Sequence, residues 1–199
     1  MADGTPRQSP LAHRALGLRA VADPERARVR LCEMRDRACI GLRGAATQEL
    51  RHIVAEHAGC GLPLNPHEAA VHGGMAALWL GPDEWLITGD TDGPALTAAL
   101  QRALRTQFAS VTDVSDAWCV TRLAGPDARD MLAKGCGLDL HPRAFRPGHA
   151  TRTLLAQATV VLHQTGDDAY DIFVRRSYAD YLWQWLEDAG KEFGLAVVQ

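Results

Sequence analysis

Two similar stretches of sequence decide the fold: "CIGLRGAATQELRHIVAEHAGCGLPL" at residues 39–64 and "CVTRLAGPDARDMLAKGCGLDL" at residues 119–140. Each begins with a cysteine in a strand-like run, passes a glycine at a turn, continues as an amphipathic helix and ends on the letters CGL-x-L. Self-similarity at a fixed spacing indicates an internal repeat. The two starting points lie about 80 residues apart, so two units of that size fit the 199-residue chain.

A second pair of stretches extends the repeat. Residues 78–104, "LWLGPDEWLITGDTDGPALTAALQRAL", resemble residues 162–189, "LHQTGDDAYDIFVRRSYADYLWQWLEDA". Each reads as a strand, a turn with glycine and acids, an aromatic-bearing strand and a helix. Each unit therefore runs strand, helix, strand, strand, helix, with room for a final strand, and the runs at 29–34 and 37–44 open the first unit.

Apolar residues at helical spacing predict helices over 45–57 and 94–105. Pro126 suits the first position of a third helix, where its missing N–H costs nothing, and Ser177 with Asp180 forms a capping box ahead of a fourth. Helices on one face of a mostly antiparallel sheet give an α+β fold. We therefore expect a disordered tail at 1–10 and two closely packed, duplicated ferredoxin-like-type units at 11–108 and 109–199.

The composition excludes several functional classes. With 47% hydrophobic residues, 23% charged residues and a net charge of −3, the chain is typical of soluble globular proteins and lacks the basic surface of a nucleic-acid binder. No apolar run approaches the roughly 20 residues of a membrane span, and the start lacks the apolar core of a signal peptide. Five scattered cysteines without a C-x-x-C pair favour small buried thiols and the reducing cytoplasm.

Motifs for catalysis or metal binding are lacking. Neither a phosphate-binding loop nor a G-x-S-x-G elbow occurs. Four histidines, at 52, 57, 67 and 72, are spaced by five, ten and five residues, whereas a helical metal pair needs a spacing of three or four. The acid pairs at 83–84 and 167–168 occupy corresponding turns of the repeat, which favours a structural role. We predict no catalytic, cofactor-binding or metal-binding residue in this chain.

The aromatic residues of the last predicted helix fall into two groups. At 100° per residue, one stripe reads as core. It comprises Tyr178, Tyr181, Leu182, Trp185 and Ala189. Trp183 projects away from that stripe, so we predict that it packs on the sister unit or on a partner protein.

The segment "LAKGCGLDLHPRAFRPGHATR" at residues 132–152 concentrates basic residues between prolines. Three interpretations are open: an anion or nucleotide site, a metal site, or a stiff connection that another protein recognises. The two prolines hold the backbone rigid around Arg143 and Arg146, and rigid guanidinium groups suit pairing with carboxylates. In the docking interpretation Phe145 is the apolar anchor; otherwise the arginines pair with the chain's own acids, such as Asp139. The predicted partner-interface residues are Arg143, Phe145, Arg146 and Trp183.

Several of these segments together resemble the gamma subunits of heterotetrameric bacterial sarcosine oxidases. They are "SPLAHR" (9–14), "MAALWLGPDEWLI" (75–87), the run from "VTDVSDAWCVTRLAGPDARDML" (111–132) through "VVLHQT" (160–165), and "YDIFVRRSYADYLWQWLEDA" (170–189). More distantly, residues 111–132 resemble the glycine cleavage T-protein, an aminomethyltransferase of the folate-binding superfamily.

This resemblance implies a cytoplasmic complex of alpha, beta, gamma and delta subunits. The complex demethylates sarcosine oxidatively to glycine, using oxygen and passing the one-carbon unit to tetrahydrofolate. In the family, beta carries FAD and most of the FMN site, alpha carries NAD and a folate region, and delta carries zinc. The resemblance therefore implies a gamma subunit without cofactors or redox chemistry, which assembles and stabilises the complex and contacts no nucleic acid or membrane.

One departure bears on folate. T-protein-like sequences carry an acid pair after a glycine pair at this part of the fold, and the acid serves the folate reaction. Here the matching stretch "LLAQATVVLHQ" at residues 154–164 has no acid. The alternatives are a folate-dependent aminomethyltransferase-like protein, or the equivalent subunit of an oxidase or dehydrogenase acting on another N-methylated amino acid.

Overall fold

Two β-sheets with helices packed on them make up the protein, seen in a computed structural model that describes residues 8–20 and 26–198. The strands are β1 (Val29–Glu33), β2 (Ala38–Gly44), β3 (Ala69–His72), β4 (Met75–Gly81), β5 (Glu84–Gly89), β6 (Ala109–Asp113), β7 (Trp118–Ala124), β8 (Ala150–Leu155), β9 (Ala158–Gly166), β10 (Ala169–Arg175) and β11 (Leu195–Val198). The helices are α1 (Leu16–Arg19), α2 (Gln48–Ala58), α3 (Gly93–Ala103), α4 (Ala128–Ala133) and α5 (Ala179–Gly190).

The order of the strands confirms the duplication and the α+β class. One sheet runs β3-β4-β5-β2-β6, and the other runs β8-β9-β10-β7-β1-β11. Equivalent strands of the two repeats therefore occupy equivalent places: β3 and β8 at one edge, followed by the two hairpin strands and the strand that opens the repeat. All pairs are antiparallel except β1 with β11. Each unit has one strand, β3 or β8, more than the sequence predicted.

The sheets do not follow the two predicted segments, 11–108 and 109–199. Strand β1, expected to open the first unit, lies in the six-stranded sheet, where Leu31 stands opposite Leu123 of β7. Strand β6, beyond residue 108, completes the five-stranded sheet beside β2. Strand β1 thus takes the place next to β7 that β6 takes next to β2, and there Val29 and Leu31 become fully buried. We propose two units that exchange a strand.

The predicted tail at residues 1–10 is described only in part, because residues 1–7 lie outside the described residues. The next two residues contact the folded chain. The backbone carbonyl of Gln8 accepts a hydrogen bond of 2.6 Å from Arg176, and the hydroxyl of Ser9 donates to the carboxylate of Glu33.

Helices α2 and α3 form where apolar spacing predicts them, with ends set by local caps. The hydroxyl of Thr47 accepts a hydrogen bond of 3.1 Å from the Leu50 N–H, and the carboxylate of Asp92 accepts one of 2.9 Å from the Ala95 N–H. Gly59, at φ 69°, ends α2 in the left-handed region that glycine adopts freely. Both helices bury their apolar faces on the five-stranded sheet.

Two predicted helix starts are wrong. Pro126 lies two residues ahead of α4, in the turn whose Gly125 has φ 126°. Ser177 forms no cap for α5, because it belongs to the short 3-10 turn Arg176–Tyr178 that precedes the helix. The carboxylate of Asp180 instead accepts a hydrogen bond of 2.7 Å from Arg14. An ion pair with the start of the chain takes the place of the local capping contact.

The buried face of α5 differs from the predicted stripe. Tyr178 and Tyr181 are 50% and 37% exposed, whereas Trp183 is 1% exposed and packs in the core of the six-stranded sheet. The buried positions include the small residues Ala179 and Gly190, which a search for large apolar side chains overlooks. The prediction that Trp183 has no core to fill on its own unit, and so packs on the sister unit or a partner, is wrong.

A layer between the two sheets joins them. Apolar side chains from both sheets are buried there against one another. They are Cys39, Ala76, Leu78, Leu86, Val120, Ala150, Val161 and Phe173. The helices cover the opposite faces, with α2 and α3 on the five-stranded sheet and α4 and α5 on the six-stranded sheet. Within the described ranges, no helix has the length and apolar character needed to cross a membrane.

The cysteines are free thiols, and all but one are buried as predicted. Cys32 is partly exposed. Burial raises the pKa of Cys60 to about 11 and that of Cys119 to about 12. Since the thiolate is the reactive form, these two thiols act as small apolar side chains.

Candidate functional site

The basic segment from Asp139 to Arg152 is ordered and comprises part of the connection after α4 and the first three residues of β8. The carboxylate of Asp139 accepts a hydrogen bond of 3.0 Å from the His141 N–H, and the His141 carbonyl accepts from the Phe145 N–H at 2.9 Å. At its far end, the Gly148 N–H donates to the Gln164 carbonyl at 2.9 Å. Hydrogen bonds within the segment therefore fold its first part, and a backbone hydrogen bond to β9 holds its far end to the six-stranded sheet.

Phe145 is buried within the protein. It is 2% exposed, belongs to the core of the six-stranded sheet, and meets the His149 ring edge-on at 5.8 Å between centroids. The prediction that Phe145 offers an exposed apolar anchor to a partner is therefore wrong. Its flanking arginines suggested a surface position, but the turn at 141–145 directs this side chain into the core while the arginines remain outside.

The arginines of the segment fall into two kinds. Arg143 and Arg146 are exposed, and within the described part of the chain neither guanidinium forms an ion pair or a hydrogen bond. The predicted alternative, pairing with Asp139, does not occur, because that carboxylate accepts from the backbone of His141 instead. Arg152 reaches the other sheet, where its guanidinium donates to Glu84 at 2.5 Å and 3.4 Å. The segment thus presents two free cations on a rigid backbone.

Among the described residues, the histidines and acid pairs noted in the sequence do not form a metal site. Over the ranges that the structure describes, no three or more histidine, cysteine, aspartate and glutamate side chains group as metal ligands would. His67 Nδ1 instead hydrogen-bonds Thr151 Oγ1 at 2.9 Å. Asp167 and Asp168 lie in the hairpin turn from β9 to β10 and Asp83 in that from β4 to β5, as predicted, whereas Glu84 is the first residue of β5. Hydrogen bonding to Arg152 is the main cause that lowers the pKa of Glu84.

A row of polar side chains crosses the inner face of the six-stranded sheet, and the sequence did not reveal it. The strand registers place Cys32 opposite Arg122, Arg122 opposite Asp171, and Asp171 opposite His163. Residues paired in this way point to the same face of a sheet. That face is the one packed against the five-stranded sheet. Asp171 and His163 are buried there, whereas Cys32 and Arg122 are partly exposed.

Asp171 and Arg122 form an ion pair inside this layer. The Nε and Nη2 atoms of Arg122 donate to the two carboxylate oxygens at 2.7 Å and 2.9 Å, and Asp171 is fully buried. This hydrogen bonding is the main cause that raises the pKa of Arg122. A second guanidinium, that of Arg37, lies 3.9 Å away. Asp171 is therefore a buried carboxylate whose charge is balanced by a guanidinium group that is partly exposed.

His163 stands beside the pair without a hydrogen-bonding partner. It is 2% exposed, and neither ring nitrogen has a protein partner. Burial lowers its pKa to about 4, an effect that Asp171 opposes and that Arg37 and Arg122 reinforce. The ring is therefore neutral near pH 7, with one donor and one acceptor available.

A cavity of about 510 Å³ opens at the polar end of the layer. Polar side chains and apolar residues of β3 and β4 line it together. Among them are Arg37, Asp90, Arg122, His163, Gln164, Ala69, Val71, Met75 and Ala76. A concave site with a few polar groups in an apolar wall is typical of small-molecule binding.

One sequence signal could have indicated this site. Arg122 and Asp171 each stand inside an otherwise apolar strand, in "CVTRLA" and "YDIFV", and charged residues are rarely buried unless paired. The two strands, β7 and β10, are neighbours in the six-stranded sheet. The pairing itself depends on the register of two strands 49 residues apart in sequence.

The chain is similar to proteins of one family over nearly its whole length. The model of the sarcosine oxidase gamma subunit family matches residues 43–192. The gamma subunit of sarcosine oxidase from Corynebacterium sp. strain U-96 is 38% identical over 193 residues, which cover 96% of this chain and 94% of that subunit.

Solved structures extend the comparison. A chain of the heterotetrameric sarcosine oxidase from Corynebacterium sp. U-96, in complex with pyrrole 2-carboxylate, superposes with a TM-score of 0.84 at 38% identity. The match covers 97% of this chain and 99% of that one. The glycine cleavage aminomethyltransferase T from Bartonella henselae has a TM-score of 0.62 at 15% identity, over 87% of this chain and 48% of that one, and so shares the fold.

Proposed function

This chain belongs to the sarcosine oxidase gamma subunit family, and from that membership we propose that it is the gamma subunit of a heterotetrameric sarcosine oxidase. Such a complex demethylates sarcosine oxidatively to glycine, with oxygen and tetrahydrofolate as further substrates. One observation carries the proposal: the 38% identity to a chain of a solved heterotetramer extends over almost the full length of both chains.

Within that complex the chain acts in assembly and stabilisation and has no catalytic residue. FAD, FMN, NAD, tetrahydrofolate and zinc belong to the alpha, beta and delta subunits, which are its partners. The ionisable groups of the inner layer support this view, because Asp171 is held by Arg122 and His163 is shut away from solvent. The free, buried thiols support a place in the reducing cytoplasm.

The partner surface includes Arg143 and Arg146. Both guanidinium groups are exposed and unpaired in the described chain, while Phe145 between them fixes the segment to the core. A rigid pair of arginines loses little conformational entropy on binding and suits two-pronged hydrogen bonding to carboxylates. We propose that acidic side chains of a neighbouring subunit bind these two arginines.

The test is assembly of the complex around a tagged copy of this chain, co-expressed with the other subunits. The Arg143→Ala/Arg146→Ala variant should recover at least about tenfold less of the other subunits at physiological salt, because charge-paired partner groups are left unpaired. Arg102→Ala/Arg105→Ala, which removes two exposed arginines of α3 and its exit, is the matched control and should assemble normally.

Sarcosine-dependent oxygen uptake by the purified complex is the second measurement. Full assembly and full turnover with the Arg143/Arg146 variant would show that the segment does not bind a partner and only connects α4 to β8. Failure of the unaltered chain to recruit any flavin-containing partner would contradict the proposed function itself. A higher turnover with another N-methylated amino acid would favour the equivalent subunit of a different oxidase or dehydrogenase.

A folate-dependent aminomethyltransferase is the second candidate, favoured by the fold shared with aminomethyltransferase T. The stretch at 154–164, which covers the end of β8, the turn and most of β9, lacks the acid that the folate reaction uses. Tight tetrahydrofolate binding by the isolated chain would restore this candidate.

A further inference from the structure

Arg37 and Asp90 both line the cavity between the sheets, and they do not pair with each other. Arg37 is largely buried: its Nε donates to Thr88 Oγ1 at 3.3 Å, and its Nη2 lies 3.9 Å from Asp171. Both carboxylate oxygens of Asp171 already accept from Arg122. Asp90 lies exposed at the mouth, and its carboxylate forms no hydrogen bond or ion pair with the residues that the structure describes. A positive interior therefore faces a negative rim.

The wall of the cavity holds further polar atoms without protein partners. Both ring nitrogens of His163 and the Oε1 of Gln164 are buried and unpaired. The amide nitrogen of Gln164 is fixed by the carbonyls of Gly166 and Asp167, at 3.0 Å and 3.2 Å, so its orientation is set. Buried polar atoms are normally hydrogen-bonded. Because these atoms are closed off from solvent, they lie behind the surface of the cavity and give the wall a polar but neutral character.

The opposite wall is apolar. Ala69 and Val71 of β3 and Met75 and Ala76 of β4 line it. At about 510 Å³, the cavity exceeds the space needed by a few water molecules and lies in the range of small-molecule sites. The lining thus combines a buried cation, an anion at the rim and an apolar surface between two sheets.

We propose that this cavity binds a zwitterionic α-amino acid with an apolar side chain. The carboxylate pairs with Arg37, the ammonium group with Asp90, and the side chain packs on Val71 and Met75. His163 and Gln164 form part of the neutral wall beside the carboxylate. The inference does not depend on the assembly role, which rests on a different surface.

Three matched probes test the need for both charges on the full-length chain. L-valine carries both charges, 3-methylbutanoate carries only the carboxylate, and isobutylammonium carries only the cation. Their binding is followed by the ring resonances of His163, assigned by their absence in His163→Gln. L-valine should shift these resonances in a saturable manner, with each single-charge probe binding at least about tenfold more weakly, since each lacks one charged contact.

Variants of the protein test the residues. Arg37→Gln and Asp90→Asn should each weaken L-valine binding by about tenfold or more, while Arg35→Gln, a neighbouring arginine outside the cavity, should bind as the natural chain does. Arg37 is largely buried, so Arg37→Gln is the variant that could disturb the fold. Asp90 is exposed, so Asp90→Asn leaves the fold intact and tests the proposal independently. Absence of a saturable shift, equal binding of the three probes, or unchanged binding by Asp90→Asn would overturn the proposal.

Discussion

Asp171 shows how a single residue holds its charge inside this protein. Its strand is apolar on both sides, yet the carboxylate is fully buried because Arg122 donates to both of its oxygens. His163, next in the same row, has no such partner and loses its proton instead. Pairing and neutralisation are the two ways in which a buried ionisable group avoids an unpaired charge.

The depressed pKa of His163 predicts a defined pH dependence of stability. Well above pH 6.5 the ring is neutral in both folded and unfolded chains. As the pH falls from 6.5 towards 4, the unfolded chain binds a proton that the folded chain does not. The free energy of unfolding should therefore decrease by up to about 1.4 kcal/mol per pH unit in this window.

The measurement is urea unfolding between pH 7 and 4.5 for the natural chain and His163→Gln. The natural chain should lose about 2–3 kcal/mol more than the variant over this range, from the same slope. Taking the difference cancels the effect of the other titrating groups. The exposed control His52→Gln should keep the natural slope, and parallel curves for the natural chain and His163→Gln would refute the prediction.

At the scale of elements, α5 is positioned by contacts from distant parts of the chain. Arg14 donates to the Asp180 carboxylate at 2.7 Å and to the Asp180 carbonyl at 3.4 Å, which ties the start of the described chain to the first turn of the helix. On the other side, Lys134 after α4 donates to the Ala189 carbonyl at 2.7 Å. These contacts fix the rotation of the helix, and so which aromatic side chains enter the core.

The rotation of α5 predicts unequal costs for two aromatic substitutions. Trp183→Ala should lower the free energy of unfolding by about 3–5 kcal/mol, because it leaves a cavity in the core of the six-stranded sheet. Tyr178→Ala, at a position that is 50% exposed, should cost less than about 1 kcal/mol. Urea unfolding of both variants measures the difference. Equal costs would mean that the helix presents the stripe first predicted from its large side chains.

At the scale of the whole molecule, the two sheets share one buried layer. Residues of β4 and β5 pack on residues of β7, β9 and β10, and the ion pair between Arg152 and Glu84 crosses between the sheets at the surface. The exchange of β1 also connects the sheets through the backbone, since β1 lies in the six-stranded sheet and the next strand, β2, lies in the five-stranded sheet. The sheets should therefore unfold together.

Leu78→Ala tests this cooperativity from one side of the layer. Leu78 is fully buried on the five-stranded sheet against the other sheet, so its truncation should cost about 2–5 kcal/mol. If the sheets unfold as one unit, amide hydrogen exchange in β9 and β10 should accelerate correspondingly.

Leu100→Ala, on the buried face of α3 in the outer core of the five-stranded sheet, is the matched variant. Cooperative unfolding predicts faster exchange in β9 and β10 for this variant too, in proportion to its own destabilisation. If amide hydrogen exchange in the six-stranded sheet is unchanged in both variants, the sheets unfold independently.

The sequence by itself determined the duplication, the α+β class, helices α2 and α3, the acidic hairpin turns and the buried thiols. These features follow from local patterns, such as apolar spacing, turn residues and the repeat of one segment in another. The family resemblance was also visible there, because the matching segments run through most of the chain. Even the exposure of Arg143 and Arg146 followed from a short segment rich in proline.

Tertiary structure alone decided which face of α5 is buried, where Phe145 points, which sheet receives β1, and that Arg122, Asp171 and His163 meet in one row. Each depends on partners far apart in sequence: Asp180 on Arg14, and Asp171 on Arg122. A local pattern fixes which side chains share a face of a strand or helix. Only the register and packing of distant elements determine what that face meets, because burial and charge pairing are properties of the assembled layers.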